Sequence, residues 1–300
     1  MINSRNEWDP LLEVVVGSAQ GAFWPQDLLS VETAWDQSPI PQGEINPNII
    51  DVAERELNDL SEILSQLGVR VRRPTPRDFS QGGGMYNYCP RDRLLIVDDT
   101  VVITNMMMPL RNRESECLDS VISEAASVIE MPQHADMVLD AANVCRIDDT
   151  LLFLESKSGT RAAASWLTEI FPNKNIEVCN FYSGTHIDST IVPLRPGLVL
   201  LNATRVTPEN CPAVFDNWEK IWIHDVVARD FYQYPYASKW IGMNMLVVDP
   251  QCVIVDSLQT DIITDLEKRR FTVIPMTLTH SRTLGGGFHC VTLDLHRDHV

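Results

Sequence analysis

Apolar residues along this chain come in short, strand-length runs broken by acidic or Pro/Gly turns, and the same order of runs recurs. The run 94–97 turns at Asp98-Asp99 into 101–104, and 137–145 turns near Asp148-Asp149 into 151–154. Farther on, 187–192 turns at Arg195-Pro196-Gly197 into 198–201, and 243–248 turns at Asp249-Pro250 into 252–255. The turns recur at about 50 residues, a spacing expected of repeat architectures. Helical spacing follows each hairpin, over 114–130 (Val121, Ala125 and Val128 on one face), 160–171, 211–220 and 261–268. Short strands at 176–179, 221–223 and 271–274 close the units. Near the N-terminus the pattern is looser: a strand at 12–16, an amphipathic helix at 51–67 ending at Gly68, and a strand at 69–72.

The chain has room for about five such strand–strand–helix–strand units, which suggests a closed, pseudo-symmetric α/β ring rather than an open dinucleotide-binding sheet. No G-x-G-x-x-G follows the first strand. No composition break or Ser/Gly linker divides the chain, so a single domain over 1–300 is expected. The Pro-, Asn- and Gln-rich segment 37–48 reads as a surface loop or lid.

The net charge of −17, with a pI near 4.7, makes nucleic acid an improbable partner, and no Lys/Arg run forms a patch. The longest apolar runs are strand-length, too short to cross a bilayer, and the first eight residues lack the apolar core of a secretory signal. The seven cysteines are scattered singly, without a C-x-x-C pair, which argues against both a disulfide framework and a zinc site. A reducing cytoplasm is the expected compartment.

Candidate chemistry concentrates in four segments. In Gly285-Gly286-Gly287-Phe288-His289-Cys290, three glycines permit close backbone approach to a ligand, and they open onto an apparent strand, 288–295. Cys290, Thr292 and Asp294 would share one of its faces, displaying the thiol at the loop mouth; the alternative is a buried, inert cysteine. In Gly184-Thr185-His186-Ile187-Asp188, an extended chain would put His186 and Asp188 on one face, an acid/base beside a carboxylate. Asp140-Ala141-Ala142-Asn143 and Cys89-Pro90-Arg91-Asp92 add carboxylates before hairpins; singly, each is as well explained by a solvated turn. The remaining histidines have no ligand spacing, so no metal is expected. Three aspartates gathered round a thiol would repel a thiolate unless a cation lay between them. A guanidinium, planar and permanently charged, suits that place, which points to arginine or a relative attacked by Cys290 at the guanidino carbon.

On these motifs, together with Asn6-Glu7-Trp8-Asp9-Pro10-Leu11 and Ser238-Lys239-Trp240-Ile241-Gly242-Met243-Asn244, the chain resembles the amidinotransferases that act on arginine with glycine or an inosamine phosphate. The resemblance runs over nearly the whole chain and leans toward the inosamine-phosphate branch. It implies the pentein fold, a five-bladed α/β propeller of ββαβ modules. It also implies an enzyme, a transferase of one-carbon groups, that uses no cofactor. Cys290 would be the nucleophile, His186 the acid/base and Asp140 its partner. Asp92 and Asp188 would hold the guanidinium nitrogens, and Arg205 and Ser238 the amino-acid end of the donor. Asn143 stands where the glycine enzyme has a second acid and is counted with the substrate-binding residues, and Ser183 replaces a pocket Asn. The implied reaction is ping-pong transfer of the amidino group from L-arginine through an amidino-cysteine to an acceptor amine such as glycine or an aminocyclitol phosphate, releasing ornithine. Two rivals stay open: a deiminase or dihydrolase that sends water to the intermediate, and a catalytically idle binding protein. Expected partners are small-molecule substrates, not nucleic acid or membrane, with a homodimer left open.

Overall fold

The computed structural model describes residues 2–26 and 41–299. Its framework is five three-stranded sheets, each with an antiparallel pair and a third strand parallel to the middle one; in four of them a tight turn joins the antiparallel pair and a crossover leads to the third strand. Leu94–Val97, Thr100–Ile103 and Ser127–Glu130 form one such sheet, and Val144–Ile147, Thr150–Leu154 and Asn175–Cys179 the next. Ile191–Arg195, Leu198–Asn202 and Glu219–Ile223 make another, and Leu246–Asp249, Cys252–Asp256 and Thr272–Met276 a fourth. The fifth joins the ends of the chain. Thr292–Arg297 pairs antiparallel with Leu11–Val16, which pairs parallel with Arg70–Arg72. The N- and C-terminal strands thereby close the ring, and the architecture is the pentein α/β propeller. A small extra sheet, Gly43–Glu44, Ser18–Trp24 and Met85–Asn87, flanks it.

The acidic turns behave as the sequence pattern requires. Asp98 and Asp148 take left-handed backbone (φ 52° and 53°), the conformation that Asp tolerates better than most residues and that two-residue hairpins demand. The helix Pro47–Gln66 starts at an Asn46 cap, whose side chain accepts from Asn48 N, with Pro47 in the first turn. It buries Ile49, Ala53, Leu57, Leu60 and Leu64, one face at helical spacing, against the closing sheet. Arg161–Ile170 and Thr260–Lys268 play the same part in their modules. The middle strands Thr150–Leu154, Leu198–Asn202 and Cys252–Asp256 are largely buried and mostly apolar on both faces, as expected where a sheet is covered on both sides.

Several expectations are corrected. The helix read over 114–130 is a 3₁₀ segment, Pro109–Leu118, and one turn, Asp119–Ile122; the apolar end of that pattern is the strand Ser127–Glu130. The helix read over 211–220 shrinks to Ala213–Phe215 because Pro212 and the strand Glu219–Ile223 bound it. Of the segment 37–48, residues 37–40 lie outside the described residues, and the remainder holds a strand edge and the helix start rather than one loop. No helix among the described residues is long and apolar enough to cross a membrane.

Candidate active site

The turn that enters the first strand of each module carries the polar residues of the site. Asp92 precedes Leu94–Val97, Asp140 precedes Val144–Ile147 and Asp188 precedes Ile191–Arg195; Asn244 precedes Leu246–Asp249 and Cys290 precedes Thr292–Arg297. Pseudo-fivefold repetition therefore brings five equivalent positions together at one end of the ring. Asp92, Asp140, His186, Asp188 and Cys290 line a single cavity of about 190 Å³, with Met107, Met108, Tyr182, Arg205, Tyr236, Ser238 and Gly285 among its other walls.

None of these side chains stands on a strand face. Cys290 lies in the turn before its strand, not in it, and His186 and Asp188 lie in an irregular loop. His186 takes left-handed backbone (φ 62°), an uncommon state for a residue with a Cβ. Three contacts hold it there. Its N–H donates to Asn143 Oδ1 (3.0 Å), the Tyr182 hydroxyl donates to its carbonyl, and Ile187 N donates to Ala142 O (3.0 Å). Backbone held in a sparsely populated region at a cavity wall is strain that the surroundings impose.

Asn143 is placed differently from the sequence reading. It is fully buried and does not line the cavity. Its amide donates to Leu154 O (3.0 Å) and Ser156 Oγ (2.9 Å), while Oδ1 accepts from Ser158 Oγ (2.9 Å) and His186 N. That uses all four hydrogen-bonding positions of the side chain and leaves none for a ligand. The glycine run is also only partly a ligand feature. Gly285 lines the cavity with φ 83°, whereas a Cβ at Gly286 would meet Cys89 Sγ at 2.5 Å, and one at Gly287 would meet Asn244. The last two are small so that the chain can pack against itself.

The imidazole of His186 sits between two carboxylates, with Nε2 3.1 Å from Asp140 Oδ2 and Nδ1 3.7 Å from Asp92 Oδ1. Burial by itself would lower its basicity, but the Asp92 charge, the bond to Asp140 and the contact with Cys290 lift it well above the ordinary histidine range. Asp140 is fixed from its other oxygen by Met107 N (2.8 Å). Asp92 Oδ2 accepts from Arg111 (3.0 Å), which Glu114 grips with both oxygens (2.8 and 2.9 Å), while Asp92 Oδ1 is buried without a hydrogen-bond partner. Burial raises the Asp92 carboxyl, against the pull of His186 and Arg111. A buried acceptor left open on a cavity wall is a place for a donor from a ligand.

Cys290 Sγ donates to Asp188 Oδ2 (3.2 Å), and its N–H donates to Asn244 Oδ1 (2.9 Å). Its thiol is pushed well above the usual range by a hydrogen bond with the Cys89 thiol, by burial and by the Asp188 charge, with His186 pulling the other way. Asp188, by contrast, is lowered to about 2: burial raises it, but His289 and then His186 more than offset that. At the far wall Arg205 stacks on the Tyr182 ring (3.9 Å to its centre) and donates to Thr190 Oγ1 (2.8 Å) and Ser189 Oγ (3.2 Å), beside Ser238. The cavity thus pairs a carboxylate-lined end holding the thiol with a cationic end, a match for a molecule cationic at one end and anionic at the other. Among the described residues no cluster of three or more His, Cys, Asp or Glu is arranged to hold a metal ion.

Inosamine-phosphate amidinotransferase 1 of Streptomyces griseus is 41% identical to this chain over 99% of it and 97% of the relative. The chain belongs to the amidinotransferase family. Accordingly it is an enzyme that transfers amidino groups between small molecules. The solved inosamine-phosphate amidinotransferase of S. griseus superposes on the whole of this amidinotransferase and 98% of the solved chain, with a TM-score of 0.95 at 40% identity. The dimethylarginine dimethylaminohydrolase of Pseudomonas aeruginosa, solved with citrulline, matches over 95% of this chain and 99% of its own at TM-score 0.69 and 14% identity, a likeness of fold alone. No protein-family model matches the chain.

Sequence reasoning missed Arg111, Glu114, Tyr182, Asn244 and His289, and it assigned Glu7 no role. Asn244, His289 and Glu7 are placed by contacts between distant modules, whereas Arg111 with Glu114 and Tyr182 with His186 are local pairs, three and four residues apart, whose spacing does not by itself mark a site. Asn244 alone had a usable signal, since it holds the module-entry position that carries Asp or Cys in the other modules around the site.

Proposed function

We propose that this amidinotransferase takes its amidino group from L-arginine and carries it on Cys290 to an acceptor amine. The whole chain works as one catalytic unit, a reading supported by the pairing of its two terminal strands. The observation that carries the proposal is the convergence of Asp92, Asp140, Asp188, His186 and Cys290 on one cavity, with a buried Asp92 oxygen open to a donor. Asp92 and Asp188 bind the guanidinium. Arg205 and Ser238 receive the carboxylate and amino end of the donor.

In the protein alone the sulfur is a thiol, so activation is assisted by substrate. A guanidinium between the carboxylates and the sulfur favours the thiolate, and the thiol proton passes to solvent as the cation binds, since His186 already carries one. The thiolate bonds to the guanidino carbon. As the carbon–nitrogen bond to the donor chain breaks, protonated His186 gives its proton to the departing amine, and ornithine leaves. An acceptor amine then attacks the amidino-cysteine carbon, the now neutral His186 takes the amine's proton, and the Cys290 thiolate is expelled. Asp140 keeps the imidazole aimed through both halves.

An aminocyclitol phosphate is the first acceptor to test, because an inosamine phosphate gives the 41%-identical relative its name. The experiment is product analysis with labelled arginine. Ornithine that accumulates in step with amidinated acceptor supports transfer. Citrulline or ammonia formed at the same rate without acceptor would replace the proposal with hydrolysis.

A further inference from the structure

His289 stands next to Cys290 in sequence, yet it does not line the substrate cavity, and its ring lies between two carboxylates. Its Nδ1 is 3.0 Å from Asp188 Oδ2 and its Nε2 is 3.2 Å from Glu7 Oε2. A neutral imidazole has one N–H and can donate to only one of two carboxylates. Both contacts are hydrogen bonds when each nitrogen carries a proton. Glu7 is a fixed anion. Arg146 grips it with two nitrogens (2.9 and 2.7 Å), Arg91 lies 3.7 Å away, and the same arginines reach Asp294, which Arg297 also binds (2.7 Å).

The oxygen of Asp188 that meets His289 is also the one that meets Cys290 Sγ. A carboxylate touching sulfur opposes the thiolate that attack requires, and a second carboxylate, Glu7, lies just behind. The remaining neighbours do not substitute for the ring. Arg91 Nε donates to the His289 backbone carbonyl (2.8 Å) and not to its ring, His186 faces Asp188 from its own loop, and Cys145, Met245 and Val247 beside this contact bring no cation.

We propose that His289 is a positioning residue for amidino transfer: charged between Glu7 and Asp188, it anchors the Asp188 carboxyl to the buried Arg146 network and offsets that carboxyl's charge beside the Cys290 sulfur. This rests on the reading in which Cys290 attacks. His289 touches no reacting atom; it acts through Asp188.

The test compares His289→Asn, which keeps a donor near the Nδ1 position facing Asp188, with His289→Gln, which keeps one near Nε2 facing Glu7, in the intact enzyme with arginine and acceptor. With the ring gone, burial of Asp188 is no longer opposed by its main counter-charge, so its carboxyl takes a proton at higher pH. The expected result is a kcat lowered about 10- to 100-fold in His289→Gln and less in His289→Asn. It includes an acid limb of kcat/KM that moves to higher pH in His289→Gln and less so in His289→Asn. A purely structural role would lower the melting temperature of both and leave the limb in place; that result, or wild-type kcat in both, overturns the proposal. Amidino-Cys290 measured in the wild type keeps the two readings apart. If the adduct forms and the variants are indifferent, only the role of His289 falls; if no adduct forms, the reading beneath it falls first.

Discussion

Asn143→Ala separates a scaffold residue from a substrate contact. The side chain makes four internal hydrogen bonds and is sealed from the cavity, so its removal takes nothing from a ligand. It strips the His186 N–H of its partner and leaves Leu154 O, Ser156 and Ser158 with fewer. A buried group left unpaired costs about 1–3 kcal/mol, and two such groups put the loss near 3 kcal/mol. For a chain of this size that corresponds to a melting temperature lower by roughly 5 °C. The left-handed peptide of His186 loses one of its three restraints, and a misplaced acid/base costs on the order of 10²-fold in kcat. Arginine meets the same aspartates, so its KM stays within about threefold. Calorimetric unfolding and steady-state kinetics measure both sides. An unchanged melting temperature with KM raised tenfold or more would return Asn143 to the substrate-binding residues and refute the packing argument.

His186→Asn should block both half-reactions, since one imidazole gives a proton in the first and takes one in the second; separate assays of ornithine release and acceptor amidination check this, and full rescue by excess acceptor would contradict the second role. Cys290→Ala should bind arginine in titration calorimetry while releasing no ornithine, because the aspartates and not the sulfur hold the cation. Stability should fall in acid. Asp188, at about 2, and Glu7, held well below its usual range despite burial, are both lowered by folding. Their contribution is present above the unfolded carboxylate range near 4 and is lost as pH falls from about 4 toward 2. Chemical denaturation at pH 7, 4 and 3 reads the loss, and a flat profile would contradict the ion network.

The sequence made the propeller legible because hairpin turns and apolar strands are local. Asp98-Asp99 and Asp148-Asp149 sit where two-residue hairpins must turn, and the runs around them pair in register. Strand faces were the wrong geometry for the site. His186, Asp188 and Cys290 leave the alternating pattern just before their strands, and the cavity is lined by those turns rather than by pleated faces. The helical reading of 114–130 failed because apolar spacing alone does not separate a short helix from the strand that follows it. Asn143 was misplaced because a polar residue between small ones looks the same whether it faces a ligand or fills four buried hydrogen bonds. Glu7 and His289 meet across almost the whole chain, at a contact fixed only by closure of the ring.

The central claim is the covalent amidino group on Cys290. Arginine given without acceptor, followed by acid quench and peptide mass spectrometry, should show one amidino group on the peptide carrying Cys290 and about one ornithine released per active site. An adduct on another cysteine would contradict the site, and steady citrulline or ammonia with no adduct would contradict the transfer mechanism.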